Sequence, residues 1–301
     1  MPHSSTNTPD ALSADVLKVF ERHPDLLEIC GAPGRAVPQA GLTNQVYRLE
    51  AGRGVFFLRL PRPGNAGLVD RQAEAVNLDL AATTGLALPP LFVHPDDGIL
   101  LTAAVDTLEP APLDLSARLG DALGRLHGSG AAFAGLLDPD DVYRAQREFL
   151  ASVGEFQSEI APLDQAMQDL ADLSLNSGTV QPVPVHGDVT PGNCLWTPER
   201  LWLIDWEYSA MADPAWDLAY AILEHRFSSA EEEAFLEACK GRHRSSGFPV
   251  RERIEAMKVR CDAVSALWAL EQVARGRDTE TFLPYARGRR DRALSRMRKL
   301  V

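Results

Sequence analysis

Three polar side chains near the middle of the sequence are of the types that phosphoryl transfer from ATP requires. That reaction needs a carboxylate to accept the proton of the acceptor hydroxyl, and oxygen ligands to hold Mg²⁺ against the phosphates. It also needs a cation to offset the remaining phosphate charge. Asp188 suits the first role, and Asn193 and Asp205 suit the second. The block over 183–210 is therefore a candidate centre for phosphoryl transfer.

The spacing of these residues strengthens this interpretation. His186 stands two residues before Asp188 and Asn193 stands five residues after it, which are the steps in the kinase catalytic loop H-R-D-x-x-x-x-N. Asp205 follows a short apolar run, as a metal-binding aspartate at a strand end would. A lone His-Gly-Asp is most often a turn, and a lone Asp after a strand is most often a cap. The joint pattern in this order predicts kinase-like chemistry.

The N-terminal part of the chain offers the cation. Arg59 lies in a predicted strand and Glu74 in the predicted helix that follows, and kinases pair a strand cation with a helix carboxylate in this way. Protein kinases use Lys here, but Arg keeps the charge and adds a planar fork that suits phosphate oxygens. A surface cation paired with any acid is the alternative for Arg59. In place of a glycine-rich loop, the segment 39–44 offers the hydroxyl of Thr43 and the amide of Asn44 as donors.

Hydrophobic patterning predicts the elements that must position these residues. The N-terminal part should contain helical spacing over 13–27, a hairpin over 46–60, a helix over 71–83 and short strands at 91–93 and 98–102. After Pro112 the chain is mainly helical, with helices over 115–126, over most of 140–175 and after Pro214.

This order predicts an α+β, protein-kinase-like fold with a small strand-rich N-lobe and a larger helical C-lobe. We expect residues 1–12 to form a disordered arm, residues 13–104 a nucleotide-binding lobe and residues 105–301 a catalytic and substrate-binding lobe. The ligands are expected in the cleft between the lobes.

Composition excludes several other classes of protein. The 301 residues include 30 basic and 42 acidic side chains, and the formal charge of −12 argues against a nucleic-acid partner. Its sign suits a cationic small substrate, although acidic proteins are common. Four cysteines without a C-x-x-C pair make a zinc or redox motif unlikely and fit a reducing compartment. With no signal-peptide pattern and no long apolar run, we expect a cytoplasmic monomer or homodimer with no membrane partner.

Together these motifs resemble the choline/ethanolamine kinase family, which belongs to the aminoglycoside phosphotransferase-like group and has the protein-kinase fold. The resemblance covers roughly residues 35–295 and rests on six stretches of sequence. They are 41–44, 58–60 with Glu74, 126–128, 186–188, Asn193 and 204–208.

The resemblance implies a role for each of these residues. Asp188 would be the catalytic base, Asn193 and Asp205 would bind Mg²⁺, and Glu207 is a possible third ligand. The ATP phosphates would meet Arg59, oriented by Glu74, with Thr43 and Asn44 above them. The backbone from Thr102 to Ala104 would form the hinge that meets adenine. His186 and Asp217 would support the catalytic loop.

The acceptor expected from the resemblance is a small cation that carries a hydroxyl. A quaternary ammonium cannot donate a hydrogen bond from nitrogen, so it binds aromatic faces and nearby carboxylates. Tyr208, Trp268 and Tyr285 are the candidate aromatic box, and Glu271 is a candidate carboxylate. Core packing is the alternative for Trp268, and a surface position is the alternative for Glu271. The family's second Trp is replaced here by Ser265.

The expected activity is ATP-dependent phosphorylation of the hydroxyl of choline or ethanolamine, with ATP and Mg²⁺. One alternative keeps the chemistry and changes the acceptor to an aminoglycoside, thiamine or another small alcohol or amine. The other is a kinase-like module that binds nucleotide without turnover. The basic C-terminal stretch, which includes Arg289 and Arg292, favours a solvated helix face over a surface for nucleic acid or anionic membrane.

Overall fold

The computed structural model of the chain describes residues 12–39, 44–62, 69–173, 181–242 and 248–300. In chain order the first elements are α1 (Ala14–Arg22), α2 (Asp25–Cys30), β1 (Pro33–Gln39), β2 (Asn44–Ala51), β3 (Gly54–Pro61), α3 (Arg71–Thr83), β4 (Pro90–His94) and β5 (Ile99–Ala103). They are followed by α4 (Leu115–His127), β6 (Leu136–Leu137), α5 (Pro139–Val153), α6 (Gln157–Asp172), β7 (Val183–Val185), β8 (Cys194–Trp196), β9 (Leu201–Leu203) and β10 (Ala210–Ala212). The last four are α7 (Ala215–His225), α8 (Ser229–Arg242), α9 (Arg251–Ala274) and α10 (Thr279–Leu300). The predicted disordered arm covers residues 1–12. Residues 1–11 of it lie outside the described residues, and Leu12 is described.

These elements form two compact units. As far as the structure describes them, the first unit comprises Met1–Pro110 and Leu195–Glu207, and the second comprises Ala111–Cys194 and Tyr208–Val301. The segment after β8 joins the first unit through backbone hydrogen bonds. Leu203 donates its N–H to the carbonyl of Leu86, and Leu108 donates its N–H to the carbonyl of Trp196, each at 2.7 Å. Asp205 and Glu207 are thereby placed with the N-terminal sheet.

The first unit is built on a five-stranded sheet in the order β1-β2-β3-β5-β4, with every neighbouring pair antiparallel. Side chains of a strand alternate between its two faces. In β3, Phe56, Leu58 and Leu60 are buried in one apolar core with residues of α1, α2, β2 and β5. Arg59, between two of them, therefore lies on the opposite face of the sheet.

The N-terminal helical pattern forms two helices. The helical spacing over 13–27 is interrupted because Pro24 has no N–H for the ladder and restricts the residue before it. α1 ends at Arg22 and α2 begins at Asp25. Ser13 caps α1, since its hydroxyl oxygen accepts the backbone N–H of Val16 at 3.3 Å. The predictions for the 46–60 hairpin and for the helix over 71–83 are confirmed.

The second unit is mainly helical and contains the small sheet β6-β10-β7. α9 is buried along most of its length and packs against α5, α7 and α10. β7 runs antiparallel to β10, and this pairing positions the chain directly before the His-Gly-Asp stretch that begins at His186.

The basic C-terminal stretch differs from the predicted solvated face. Arg289 is buried and donates to Asp262 at 3.1 Å, and Arg292 donates to the same carboxylate at 2.8 Å. Asp262 is fully buried on α9, so its charge requires these partners. Arg298 and Lys299, near the end of α10, are exposed. None of the described helices is both long enough and apolar enough to cross a membrane.

Candidate active site

The His-Gly-Asp stretch is anchored by one buried carboxylate on α7. Asp217 accepts the backbone N–H groups of His186 and Gly187, each at 2.9 Å, and its oxygen lies 3.1 Å from Nε2 of His127. Burial alone would raise the pKa of Asp217, but the hydrogen bond and charge of His127, followed by the charge of His186 and the Gly187 N–H, hold it below its usual range. Asp217 therefore stays ionised and fixes the backbone directly before Asp188.

Gly187 is required by both backbone conformation and space. Its φ of 87° lies in the left-handed region, and a Cβ at this position would overlap the carbonyl oxygen of Tyr208. Trp216 adds a further restraint, because its indole Nε1 donates to the Gly187 carbonyl at 2.9 Å. The stretch is thus held from two sides.

Asp188 and Asn193 are joined directly. The side-chain nitrogen of Asn193 donates at 2.9 Å to both the carboxylate and the carbonyl of Asp188. A single 3₁₀ turn over Pro191–Asn193 makes this possible by turning the chain back. Since the amide nitrogen of Asn193 is directed at Asp188, its amide oxygen is directed away and is the atom that suits a hard cation.

In the first unit, Arg59 and Glu74 form a forked ion pair. The two terminal nitrogens of the Arg59 guanidinium, Nη1 and Nη2, each donate to one oxygen of the Glu74 carboxylate, Nη2 at 2.8 Å. Burial would raise the pKa of Glu74, but the hydrogen bond and charge of Arg59 and the charge of Arg71 outweigh this and lower it. The buried Nε of Arg59 has no hydrogen-bond partner within the described part of the chain.

Asp205 lies beside this pair. Its Oδ1 is 3.6 Å from the guanidinium of Arg59. The carboxylate needed for a metal and the cation needed for phosphate are therefore neighbours in one unit, and together they can bind an anion–metal complex.

Asn44, Arg71 and Glu207 form a second, connected cluster. The Asn44 side-chain nitrogen donates to Glu207 at 2.8 Å, and the Asn44 side-chain oxygen accepts from Arg71 at 2.8 Å. Arg71 also donates to Glu207 at 3.1 Å and to Glu74 at 2.8 Å. Both ends of the Asn44 amide are thus engaged with protein groups. Thr43, which was expected beside it, lies outside the described residues.

The hinge expected at Thr102 to Ala104 forms the end of β5 and the residue after it. Thr102 pairs with Phe57 in the sheet, and Ala104 donates its N–H to the Val55 carbonyl at 3.0 Å.

Two of the three aromatic candidates meet in the second unit. The rings of Trp268 and Tyr285 lie edge to face with centroids 6.4 Å apart. Tyr208 is 37% exposed and follows Glu207 at the start of the next segment. Glu271 is paired with Arg275 at 2.7 Å on the same helix, so part of its charge is already balanced.

Tyr285 also has a protein cation on its ring. The guanidinium carbon of Arg289 lies 4.8 Å from the ring centroid, and Arg289 also donates to the Tyr285 hydroxyl at 2.5 Å and to Glu224. Burial, followed by the charge of Glu224 and at longer range that of Asp188, raises the pKa of Tyr285 against the effect of Arg289. Tyr285 is therefore within electrostatic reach of Asp188.

Comparison with known proteins identifies the family of this chain. The sequence model of the family described as "phosphotransferase enzyme family" matches residues 35–255, well over half of the chain. The chain belongs to this family. The resemblance drawn from the sequence motifs is confirmed at this level, and the protein is a phosphotransferase.

Solved structures confirm the kinase-like fold of the phosphotransferase. A choline/ethanolamine kinase family protein from Mesorhizobium loti is 29% identical, with 94% of each chain covered and a TM-score of 0.77. Choline kinase LicA from Streptococcus pneumoniae is 27% identical, covering 95% of this chain and 100% of that chain, with a TM-score of 0.76. A structure of LicA in complex with AMP is 26% identical, covering 96% of this chain and 100% of that chain, with a TM-score of 0.74.

Sequence reasoning missed two arginines of the phosphotransferase. Arg71 stands three residues before Glu74, and Arg289 stands four residues after Tyr285. Both spacings place the side chains on one face of a helix. That signal was present in the sequence, but many surface arginines show the same spacing, and only the packed structure shows which partners they have.

Proposed function

We propose that this phosphotransferase transfers the γ-phosphoryl group of ATP to the hydroxyl of choline or ethanolamine. The observation that carries the proposal is the Asp188–Asn193 pair, held by Asp217 in a unit that also contains the Trp268–Tyr285 aromatic pair. The similarity to a choline/ethanolamine kinase family protein and to choline kinase LicA supports this acceptor class. The LicA complex with AMP supports an adenine nucleotide as donor.

Asp188 is the proposed catalytic base. It accepts the proton of the acceptor hydroxyl while that oxygen bonds to the γ-phosphorus and the bond to the β–γ bridging oxygen breaks, which releases ADP. Asn193 orients the Asp188 carboxylate by donating to it. His186 and Asp217 support this loop, since the anchored backbone leaves Asp188 little freedom to turn away.

Arg59 is the proposed phosphate ligand. Its unpaired buried Nε–H is a donor that a phosphate oxygen would satisfy, and Glu74 holds the guanidinium in place. Arginine presents several donors in a fixed plane, which matches phosphate oxygens. We propose that the nucleotide is also contacted by Thr43, by Asn44 and by the backbone from Thr102 to Ala104.

The residues present also fit Mg²⁺. Asp205 offers a carboxylate oxygen beside Arg59 and Asn193 offers an amide oxygen, which are the hard ligands that Mg²⁺ takes together with phosphates. Bound Mg²⁺ would supply charge neutralisation at the β- and γ-phosphates. Glu207, expected as a possible third ligand, accepts hydrogen bonds from Asn44 and Arg71.

The proposed acceptor site consists of Trp268, Tyr285 and Tyr208, with Glu271 as a nearby carboxylate. Aromatic faces attract a quaternary ammonium by about 0.5–2 kcal/mol each, more where water is excluded. Because Arg289 already lies over the ring of Tyr285, we propose that the Trp268 face contributes more to the binding of choline.

Another small alcohol or amine remains the alternative acceptor, because the family as a whole is described only by its phosphotransferase chemistry. A module without turnover is disfavoured, since Asp188, Asn193 and Asp205 are all present. We propose a nucleotide-binding role for residues 13–104 and a catalytic and acceptor-binding role for residues 105–301. The four cysteines are free, which fits the proposed cytoplasmic location.

Turnover of ATP with Mg²⁺ in the presence of choline, ethanolamine, thiamine, an aminoglycoside or a sugar tests the proposal. We expect stimulation by choline or ethanolamine and a phosphorylated product. Stimulation by a different acceptor alone would contradict the substrate and preserve the chemistry. Turnover by none of them, with nucleotide binding intact, would favour the binding module.

A further inference from the structure

The cluster formed by Asn44, Arg71 and Glu207 lies next in sequence to the proposed metal site, because Glu207 follows Asp205 by two residues. Each member contacts the other two at 2.8–3.1 Å. Its members come from β2, from the first residue of α3 and from the segment after β9, which are far apart in sequence. Such a closed triangle of hydrogen bonds restrains all three segments at once.

Burial distinguishes the three carboxylates that lie at or beside this cluster, those of Glu74, Asp205 and Glu207. The side chains of Glu74 and Glu207 are 4% and 2% exposed, whereas the side chain of Asp205 is 30% exposed. A single oxygen of Glu207 accepts from both Asn44 and Arg71. Of the three, Asp205 has the most exposed side chain, and Oε2 of Glu207 is engaged by protein partners.

The backbone of Asp205 needs external support. Its φ of 65° lies in the left-handed region, which costs a non-glycine residue energy and persists only where the surroundings hold it. On its C-terminal side Trp206 is buried and donates from Nε1 to the Leu203 carbonyl at 2.9 Å. Glu207, one residue further, is held by Arg71 and Asn44. These two anchors follow Asp205 directly and restrict its backbone.

We propose that Arg71 is a positioning residue that acts through Glu207: it holds the segment after β9 so that Asp205 stays beside Arg59. Arg71 also contacts Glu74, the partner of Arg59, so one guanidinium connects the supports of both the metal ligand and the phosphate ligand. Glu207 is then a positioning residue and Asp205 is the metal ligand of this unit. The inference rests on the proposed use of MgATP and is independent of the acceptor.

The test compares nucleotide binding with and without Mg²⁺, without any acceptor. The variants are Arg71→Met, Arg71→Lys, Glu207→Gln and the double variant R71M/E207Q. The control is Arg48→Met, which removes an arginine from a half-exposed pair with Glu50 on β2. The readout is the factor by which Mg²⁺ tightens ADP binding, measured by calorimetry, together with the unfolding midpoint in the absence of metal and nucleotide.

If Arg71 and Glu207 act as one unit, R71M and E207Q should each reduce the Mg²⁺ factor by about 10- to 100-fold, the usual effect of removing a residue that orients a metal ligand. The double variant should then be no worse than the more severe single variant, because both remove the same restraint. R71K keeps the charge but not the fork, and it should fall between wild type and R71M. The metal-free midpoints should show the same non-additivity, and R48M should match wild type.

Other outcomes separate the two proposals. If E207Q reduced the Mg²⁺ factor while R71M did not, and the effects added in the double variant, Glu207 would be a metal ligand and the inference would be wrong. If R71M bound MgADP as wild type does, Arg71 would have no positioning role. Failure of the wild-type protein to bind MgADP would overturn the proposed function itself, whereas binding without choline turnover would leave this inference intact.

Discussion

At the scale of single residues, the chemistry depends on a few side chains that the fold holds against their neighbours. Asp188 is oriented by Asn193, and the backbone before it is bound to Asp217. Arg59 is oriented by Glu74. In both places a partner side chain holds the proposed functional group in position, and such preorganisation accounts for much of enzymatic rate enhancement.

Replacing Asp188 should abolish most of the turnover while leaving nucleotide binding in place. Asp188→Asn removes the proton acceptor and keeps the shape, so we expect kcat to fall by about 10²–10⁴-fold. The affinity for ADP should change little, because Asp188 is proposed to act on the acceptor. Steady-state kinetics and calorimetry measure the two quantities. An Asp188→Asn enzyme with wild-type kcat would refute the assignment of the base.

Substitutions of Trp268 and of Tyr285 should have different effects on acceptor binding. Trp268→Leu removes an aromatic face, and a loss of about 1–2 kcal/mol corresponds to a rise of roughly 5- to 30-fold in the KM for choline. Trp268→Phe keeps a ring and serves as the matched control. Tyr285→Phe keeps the ring but loses the hydroxyl contact with Arg289, so it should change the KM less than Trp268→Leu. An unchanged KM for choline in Trp268→Leu would exclude Trp268 from the acceptor site.

At the scale of elements, close packing of helices supports the second unit. α4 carries His127, which contacts Asp217, and it packs against α8 through Gly120 and Gly124. A Cβ on Gly120 would overlap the backbone carbonyl of Phe235. The two helices can approach this closely only because those positions lack side chains.

The glycine contact predicts opposite effects for two similar substitutions. Gly120→Ala should lower the free energy of unfolding by about 1–3 kcal/mol, because backbone has to move. Gly288→Ala, at an exposed position of α10 where no described atom outside the local helix backbone lies within 4 Å of the new Cβ, should raise it by about 0.5–1 kcal/mol. Urea unfolding measures both. Equal effects at the two positions would contradict the close approach of α4 and α8.

The elements show where periodicity suffices and where it does not. The bounds of α3 were predicted with Gly85 as the stop signal, and the structure adds the start signal, since the Asp70 side chain caps the first turn. Two features depended on more than periodicity. β1 carries Pro33 and Pro38 and lies at the edge of the sheet, where the pairing with β2 rather than its own pattern makes it a strand. The break at Pro24 overrides an apolar spacing that continues on both sides.

At the scale of the whole molecule, stability should depend on acid pH through His225, a partly buried histidine at the end of α7. Burial lowers the pKa of His225 to about 4 from an ordinary 6.5, so the folded protein keeps it neutral over that range. Its Nε2 lies 3.9 Å from the buried thiol of Cys194. Burial, followed by the charge of Asp188, raises the pKa of that thiol to about 12, so the thiol is neutral as well.

The sign of this pH dependence follows from the two states. Between pH 6.5 and 4 the unfolded chain binds a proton at His225 and the folded chain does not. The free energy of unfolding therefore decreases as the pH is lowered through this range, by up to about 3 kcal/mol. His225→Asn should show a shallower fall over this range. His94→Asn, at a half-exposed histidine, is the control. The free energy of unfolding is measured by urea unfolding at each pH. Parallel pH curves for wild type and His225→Asn would show that burial does not shift the pKa of His225.

The sequence by itself determined the reaction class and the order of the elements. Asp188, Asn193 and Asp205 are close enough in sequence that their spacing carries the chemistry, and periodicity places Arg59 on a strand and Glu74 on a helix. Only the tertiary structure decided which partners hold them. Arg71 reaches Glu207 across 136 residues and Arg289 reaches Glu224 across 65, and no local pattern encodes contacts at such separations. The physical reason is that a buried charge must find its partner in the packed interior, and packing brings together residues that the chain keeps apart.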